Sequence, residues 1–275
     1  MAELKGAEKQ RYVADLFSRI SGRYDLMNDL MTLGMHRRWK RYTAAVASQG
    51  LNGTAIDVST GTGDLALELA RRPEIRHSVG LDLLQGMVAR ATSKVSSRGM
   101  SGSVTMMTGD ALSLPFADGT FACATAGFSL RNMPDVERAL SEMIRVVRPG
   151  GRVATLELSP MSPGLRSALF RPIFHGLVPL IGRFVAGDRS AYSYLPRSVD
   201  HFLEAGRLAA MLTGLGLDEV GYRRLGFGTV AVHWGIKRAK SGSMEFGPGS
   251  PDSQVILAPP YPRRLAELSL FIPQS

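Results

Sequence analysis

The sequence has few of the features expected of a secreted or membrane-spanning protein. Its 275 residues include a single cysteine, Cys123, which excludes an internal disulfide framework and fits a reducing compartment. No uninterrupted apolar run reaches the ~18 residues typical of a membrane span, and the N-terminal residues show no secretory signal. We therefore expect a cytoplasmic protein.

Two kinds of residue cluster are also missing. No cysteine and histidine residues are grouped with the spacing of a zinc site, so we expect no metal. Runs of Lys and Arg with interleaved aromatic residues are absent too, and so we expect no nucleic-acid partner. What the chain does have is an excess of positive charge, with 33 Lys and Arg against 24 Asp and Glu.

This positive charge is unevenly distributed along the chain. Residues 51–159 carry 11 basic and 11 acidic side chains, whereas residues 1–50 carry 9 and 5. The remaining surplus lies between residues 160 and 238. Basic regions around a neutral middle can contact an anionic membrane surface or an acidic substrate.

Short apolar runs alternate with helical patterns through the middle of the chain. The runs predict strands over 54–58, 78–83, 103–107, 121–128 and 152–158, with helices over 64–72, 85–97 and 136–147. We expect Asp135 to lie at the start of the third helix and Pro149-Gly150-Gly151 to end it. This alternation predicts βαβ units in a mostly parallel sheet, closed by a hairpin over 219–226 and 229–237.

The flanking regions have other compositions. An apolar periodicity over 10–21 indicates that residues 1–50 form a helical cap, ahead of a main domain over 51–238. An insert at about 160–200 mixes large apolar side chains with arginines, which suits either a membrane-facing surface or a substrate lid. Residues 239–275 are rich in Gly and Pro, which predicts a flexible tail.

Candidate binding residues follow three successive strands. Asp57 ends the first strand and is followed by Gly61-x-Gly63, Asp82 ends the second, and Asp110 follows the third. Ligands of open α/β sheets bind at the carboxyl ends of the strands, where glycines let the backbone approach and a carboxylate can accept ribose hydroxyls. Each feature alone is also typical of an ordinary turn or helix cap. Their succession indicates a nucleoside site.

Two details favour S-adenosyl-L-methionine over a dinucleotide at this site. A pyrophosphate site has the pattern G-x-G-x-x-G, but position 66 is Ala and the turn starts with Ser59. Asp57 would repel a phosphate, whereas it can receive the ammonium group of a sulfonium ligand. The pattern therefore predicts a methyl-donor site.

The longer motifs resemble the quinone-biosynthesis C-methyltransferases of the UbiE type. The matching segments are YDLMNDLM at 24–31, GMHRRWKR at 34–41, FSLRN at 128–132, RVVRPGGR at 145–152, LELS at 156–159 and YSYLPRS at 192–198. The resemblance covers about residues 10–238. Thr60 and Ser129 stand where the family usually has glycine.

The resemblance implies a fold, a cofactor and a substrate. The fold is the Rossmann-like one of class I S-adenosylmethionine-dependent methyltransferases, a seven-stranded, mostly parallel sheet with a terminal antiparallel hairpin. The substrate is an isoprenoid quinol, methylated at a ring carbon, which places the protein at the inner face of the cell membrane. The residues implied to contact S-adenosyl-L-methionine are Thr62, Asp82, Asp110 and Ala111, in a site shaped by Asp57, Gly61 and Gly63.

Candidate catalytic residues lie in the first three of these segments. Arg131 stays protonated and can stabilise a developing phenolate, with Asn132 beside it, although a structural ion pair is the alternative for Arg131. His36 is the candidate that titrates near neutral pH, and Tyr24 can hydrogen-bond a quinol oxygen. Packing roles remain open for both.

Other functions fit the same patterns. One is a small-molecule O- or C-methyltransferase of secondary metabolism, and another is a non-catalytic module that only binds the methyl donor. The sequence does not decide between benzoquinol and naphthoquinol as the substrate. It also leaves open whether the protein forms a homodimer.

Overall fold

The computed structural model describes residues 6–160, 194 and 198–239. Seven strands form one sheet: β1 (Gly53–Val58), β2 (Ile75–Asp82), β3 (Val104–Thr108), β4 (Phe121–Gly127), β5 (Val147–Leu158), β6 (Leu217–Leu225) and β7 (Val230–Lys237). Their order is β3-β2-β1-β4-β5-β7-β6. Strands β1 to β5 run parallel, and β7 pairs antiparallel with both β5 and β6. The predicted fold class, including the terminal hairpin, is confirmed.

Seven α-helices whose two ends both lie in the described residues accompany the strands. They are α1 (Gly6–Ile20), α2 (Tyr24–Thr32), α3 (Met35–Ser48), α4 (Asp64–Ala70), α5 (Gln85–Ser97), α6 (Val136–Val146) and α7 (Ala205–Gly214). Helices α3, α4 and α5 bury their apolar side chains against one face of the sheet, and α6 and α7 pack on the other. In the described residues no helix is long and apolar enough to cross a membrane.

Most element boundaries follow from local chemistry. Helix α5 spans the predicted residues 85–97, and the Asp135 carboxylate caps α6 by accepting a hydrogen bond from the amide of Arg138 at 2.8 Å. The predicted end of α6 was wrong. The helix ends at Val146, and β5 begins at the next residue, before Pro149-Gly150-Gly151 rather than after it.

The physical reason for this early strand lies in its partner, β4. Val147 pairs with Phe121 and Arg152 pairs with Cys123, so the four residues between them bulge out of the ladder. Gly150 has φ +74°, and a Cβ on Gly151 would lie 2.4 Å from the Ala122 carbonyl oxygen. The glycines therefore shape a bulge within the strand.

The sheet topology creates one natural ligand site. The chain runs outward from β1 to β3 and then returns to β4 on the other side of β1. The loops after β1 and β4 thus leave in opposite directions and open a crevice between them. The predicted insert and tail lie almost entirely outside the described residues.

Candidate functional site

A pocket lies at the crevice between β1 and β4. Its walls are the turns that follow four parallel strands, and its cover comes from α1 and from Tyr24 of α2. Residues that line it are Gln10, Val13, Phe17, Tyr24, Ser59, Gly61, Asp82, Leu83, Asp110, Ala111, Gly127, Ser129 and Asn132, among others. The structure therefore brings Gly61, Asp82, Asp110, Ala111, Tyr24 and Asn132 of the predicted residues to one place.

Asp82 is the acidic group at the centre of this wall. It is buried, and its two carboxylate oxygens accept hydrogen bonds from the amides of Gly61 and Leu84 at 2.8 and 2.9 Å. Burial raises the pKa of Asp82 against these hydrogen bonds. Each oxygen has a further lone pair, so the carboxylate can still accept from a ligand hydroxyl.

The turn after β1 leaves room for a ligand because Gly61 has no side chain. Gly61 has φ +57°, and a Cβ there would face the Tyr24 ring at 3.8 Å across the pocket. Gly63 has a different role. A Cβ on it would lie 2.6 Å from the end of Met106, so this glycine lets α4 pack closely against the sheet.

Asp57 stabilises the turn after β1 from inside the protein. It is 1% exposed and does not line the pocket, and the hydroxyls of Thr60 and Thr125 donate to its two oxygens at 2.6 and 2.7 Å. Burial raises the pKa of Asp57 to about 6, in opposition to the two hydroxyls. Thr60, which stands where the family usually has glycine, thus donates a hydrogen bond to this carboxyl.

Thr62 also points away from the pocket. Its hydroxyl donates to Asp25 at 2.6 Å, and the other oxygen of Asp25 accepts from the Lys94 ammonium at 2.5 Å. Lys94 bonds Asp64 at 2.9 Å, and Lys40 bonds Asp64 at 3.0 Å. This partly buried network fastens α2 to the turn after β1.

The N-terminal helix is held over the pocket by hydrogen bonds from two of its side chains. The Lys9 ammonium donates to the backbone carbonyls of Arg131 and Met133 at 3.0 and 2.7 Å, and Gln10 donates to the Asp110 carboxylate at 3.5 Å. Sequence reasoning missed both residues. No local pattern signals a contact between side chains more than 95 positions apart in the chain.

The turn after β4 holds a buried ion pair. The Arg131 guanidinium, 6% exposed, bonds the carboxylate of Glu157, which is 1% exposed, and donates to the Phe128 carbonyl at 2.6 Å. Glu157 also accepts from the amides of Arg131 and Leu158. Sequence reasoning assigned no role to Glu157, although it stands in the matched LELS segment.

Polar groups cluster beside this pair. The Tyr194 hydroxyl donates to the Asn132 side-chain oxygen at 3.3 Å. Burial raises the pKa of Tyr194, and the positive charge of Arg131 opposes that rise. Within the described residues, Ser129 Oγ and Arg131 Nε are buried without a hydrogen-bond partner. Such atoms are costly to bury and are satisfied when a ligand provides the missing partner.

His36 lies away from this cluster. It is buried on α3, outside the pocket lining, and its Nε2 is 2.8 Å from an Asp29 oxygen. Burial lowers the pKa of His36 against the effect of Asp29. The structure thus joins His36 to the α2–α3 packing and not to the pocket.

The comparisons with known proteins agree with this architecture. The chain is 41% identical over 232 residues to demethylmenaquinone methyltransferase of Roseiflexus castenholzii, covering 84% of this chain and 95% of that protein. It is 37% identical to the ubiquinone/menaquinone biosynthesis C-methyltransferase UbiE of Desulfotalea psychrophila, over 82% and 90% of the two chains.

A solved structure shows the same fold at lower identity. The S-adenosylmethionine-dependent methyltransferase of Thermotoga maritima superposes with a TM-score of 0.56 at 17% identity, over 82% of this chain and all of that one. A model of the ubiE/COQ5 methyltransferase family matches residues 5–237. The chain belongs to the ubiE/COQ5 methyltransferase family.

Proposed function

We propose that this protein transfers a methyl group from S-adenosyl-L-methionine to a ring carbon of a reduced isoprenoid quinone, converting demethylmenaquinol to menaquinol or the benzoquinol equivalent. One observation carries the proposal. Asp82 and Asn132 both line the crevice between β1 and β4, and Asn132 directly follows Arg131 and accepts a hydrogen bond from Tyr194. Support from outside the site comes from the relatives described above, which are named for this activity.

The pocket residues fit S-adenosyl-L-methionine. The Asp82 carboxylate can accept both ribose hydroxyls, while Leu83, Ala111 and Leu112 offer an apolar surface to a planar base. The space left by Gly61 admits the amino-acid part beside the Tyr24 ring. Asp57, Thr62 and Gly63 would then act indirectly, by fixing the turn that carries Gly61. When bound, the cofactor supplies an electrophilic methyl group on a sulfonium sulfur.

On the acceptor side, the chain must orient the quinol ring and stabilise negative charge on its oxygen. A ring carbon attacks a methyl group efficiently only after the neighbouring hydroxyl has lost its proton. Arg131 is not among the residues that line the pocket, so its guanidinium and its Nε, which has no hydrogen-bond partner in the described residues, would act on a phenolate from beside Asn132. Asn132 and Tyr194 provide an amide and a hydroxyl that can hold the same oxygen in register.

Glu157 fixes the position of Arg131 in this scheme. The pair is net neutral, but the Nε of Arg131 has no hydrogen-bond partner in the described residues, so a donor of the positive end is left for an anion. A preoriented charge of this kind stabilises a developing anion without further reorganisation.

The proposal extends to the place of reaction. An isoprenoid quinol dissolves in a lipid bilayer, so we infer that the protein works in the cytoplasm, in peripheral contact with the inner face of the cell membrane. The surplus of four positive charges in residues 1–50 supports contact with anionic lipids.

The test is an assay with purified protein, S-adenosyl-L-methionine and chemically reduced substrates. Mass spectrometry should detect a product heavier by one methylene unit from demethylmenaquinol, from the demethylated benzoquinol, or from both. Cells that lack the protein should accumulate the unmethylated quinone and regain the methylated one when the gene is restored. Methyl-donor binding without methylation of either quinol would overturn the proposal.

A further inference from the structure

Large hydrophobic side chains are exposed at one end of the molecule. Five of them form a group that we call the apolar rim: Leu26 (51% exposed), Leu30 (40%), Leu33 (86%), Leu83 (40%) and Phe227 (70%). Exposed apolar groups that cluster, rather than occur singly, mark binding surfaces.

The rim residues come from three separate elements that meet at the carboxyl ends of the parallel strands. Helix α2 is fastened to the turn after β1 through Asp25, and Leu83 directly follows β2. Phe227 lies at the tip of the β6–β7 hairpin, beyond the end of β5. The neighbouring Gly226 packs against Trp39 of α3, one turn after that helix begins. Leu83 also lines the pocket, so the rim reaches the pocket mouth.

Helix α2 is apolar on two sides. Met27 is buried and packs with Tyr24 and Met31. Leu26 and Leu30 have the spacing i, i+4 and share a different, exposed side, and Leu33 is exposed directly after the helix. A helix at a protein surface ordinarily turns polar side chains to water, whereas this second apolar side stays exposed beside the described residues.

The backbone at Leu33 and Phe227 strengthens the case. Both residues have left-handed conformations, with φ +49° and φ +57°, which are unfavourable for side chains of this size. Glycine lies beside each of them, as Gly34, Gly226 and Gly228. An exposed large side chain in a left-handed conformation contributes little to folding, so a binding partner explains these two residues better.

The charges around the rim favour an anionic partner. The acids of α2 are engaged by cations, Asp25 by Lys94 and Asp29 by Arg37. Arg23 directly precedes α2 and Arg38 lies in the first turn of α3, and both are exposed. The Arg90 guanidinium lies beside Gly22, in the turn that leads into α2. Apolar side chains surrounded by arginines suit the boundary between lipid headgroups and acyl chains.

We propose that the apolar rim docks on an anionic lipid bilayer, with Leu26, Leu30, Leu33 and Phe227 inserted at the interface and the pocket mouth turned toward the lipid. The orientation of the pocket mouth rests on the proposed function, because it would matter only for a substrate that is dissolved in the bilayer. The sequence pointed to the insert at 160–200 for membrane contact, whereas the rim belongs to α2, the turn after β2 and the terminal hairpin.

The test uses the double variant Leu33→Asn, Phe227→Asn in the full chain. Asparagine accepts the left-handed conformation more readily than Leu or Phe, so the folded state should be as stable as the wild type or more so. Flotation with vesicles of equal parts phosphatidylcholine and phosphatidylglycerol should show binding of the wild type. For the variant, the partition coefficient should fall by about tenfold or more, because two large apolar groups no longer enter the interface.

Two control variants separate the contributions. Tyr222→Thr removes an exposed ring midway along β6, away from the rim, and should leave vesicle binding unchanged. Arg38→Gln should weaken binding to the mixed vesicles but not to pure phosphatidylcholine vesicles. Hydrogen exchange should show protection of α2 that appears only when vesicles are added.

Three outcomes would overturn the proposal. They are equal vesicle binding by the double variant and wild type, a dimer that the double variant abolishes, and protection of the rim by residues 161–193 in the absence of lipid. The proposed function is tested separately with a short-chain, water-soluble quinol, which the double variant should methylate at the wild-type rate. Vesicle binding without methylation of any quinol would leave the docking surface standing and remove the proposed substrate.

Discussion

The turns after β1 and β4 leave neighbouring strands at the same end of the sheet but bury their charges differently. After β1, Asp57 lies inside the protein, where two hydroxyls and, among the described residues, no cation bond to it, and burial raises its pKa to about 6. After β4, Arg131 is joined directly to the Glu157 carboxylate.

This difference matches the tasks that we assign to the two turns. The first presents backbone and the space beside Gly61 to a cofactor, so a carboxyl held by hydroxyls is sufficient to fix its shape. The second must present a positive charge to a reacting oxygen, which requires a permanent cation in a fixed orientation. A counterion keeps that cation buried without leaving it uncompensated.

The largest expected effect comes from breaking the ion pair. Glu157→Leu leaves the Arg131 charge buried and unpaired, so the free energy of unfolding should fall by about 3–5 kcal/mol. The double variant Arg131→Met, Glu157→Leu should recover most of this loss, because no charge remains. Urea denaturation of the three proteins measures both changes. Equal stability of single and double variants would show that the pair is not coupled.

The second effect concerns Asp57 and depends on pH. In the folded protein the carboxyl releases its proton near pH 6, whereas its ordinary value is 3.8. The folded state therefore binds more protons between these values, and stability decreases as pH rises from about 4 to about 6. Asp57→Asn lacks this titration, so its stability relative to wild type should rise by about 3 kcal/mol between pH 3 and pH 7. Denaturant unfolding at a series of pH values measures the difference.

Asp64→Asn provides a control of opposite sign. Burial by itself would raise the pKa of Asp64, but Lys40 and Lys94 hold that pKa below its ordinary value. That carboxylate therefore stabilises the folded state above the ordinary pKa and loses its effect as pH falls. If the stability of Asp57→Asn relative to wild type did not change from pH 4 to 7, this would contradict the buried position that we describe for the Asp57 carboxyl.

A smaller effect is expected on catalysis when the acceptor side is changed. Arg131→Lys keeps the positive charge beside Glu157 but loses the planar guanidinium and its Nε donor. We expect turnover to fall by about a hundredfold, equivalent to about 3 kcal/mol of transition-state stabilisation. The affinity for S-adenosyl-L-methionine, measured by calorimetry, should stay within about twofold of wild type. A parallel loss of affinity would remove the separation between the two turns.

The smallest effect in this series belongs to the cofactor side. Asp82→Ala removes a carboxylate that faces the pocket and holds the Gly61 amide. The dissociation constant for S-adenosyl-L-methionine should rise by about tenfold, the equivalent of roughly one hydrogen bond to a charged group. Turnover at saturating cofactor should change much less. A large loss of turnover with unchanged affinity would reverse the roles of Asp82 and Arg131.

Much of the fold followed from periodicity and capping chemistry in the sequence. The 3.6-residue pattern and Asp135 located α6, and the short apolar runs located the strands, because these signals arise within a few neighbouring residues. The junction at Val147 escaped prediction because pairing with Phe121, 26 positions away, starts β5 before the glycines.

The same distinction applies to the site. Spacing placed Asp57 and Asp82 near one turn and the family resemblance added Thr62, yet neither told which side chains face the pocket. Thr125 of β4 holds Asp57 inside the protein, Asp25 of α2 holds Thr62, and Asp82 alone of the three lines the pocket. His36 looked suitable by its ordinary pKa, but its position on α3 pairs it with Asp29.

The sequence by itself determined the alternation of strands and helices, the glycine turn, the acidic residues at successive strand ends and the neutral middle between basic flanks. Local backbone preferences and apolar periodicity are written into short segments, so they can be recognised without a fold. Only the tertiary structure decided that Glu157 holds Arg131, that Lys9 ties α1 to the turn after β4, and that the exposed apolar residues share one rim. Those relations join residues distant along the chain, and they exist only after the sheet has brought its strand ends together.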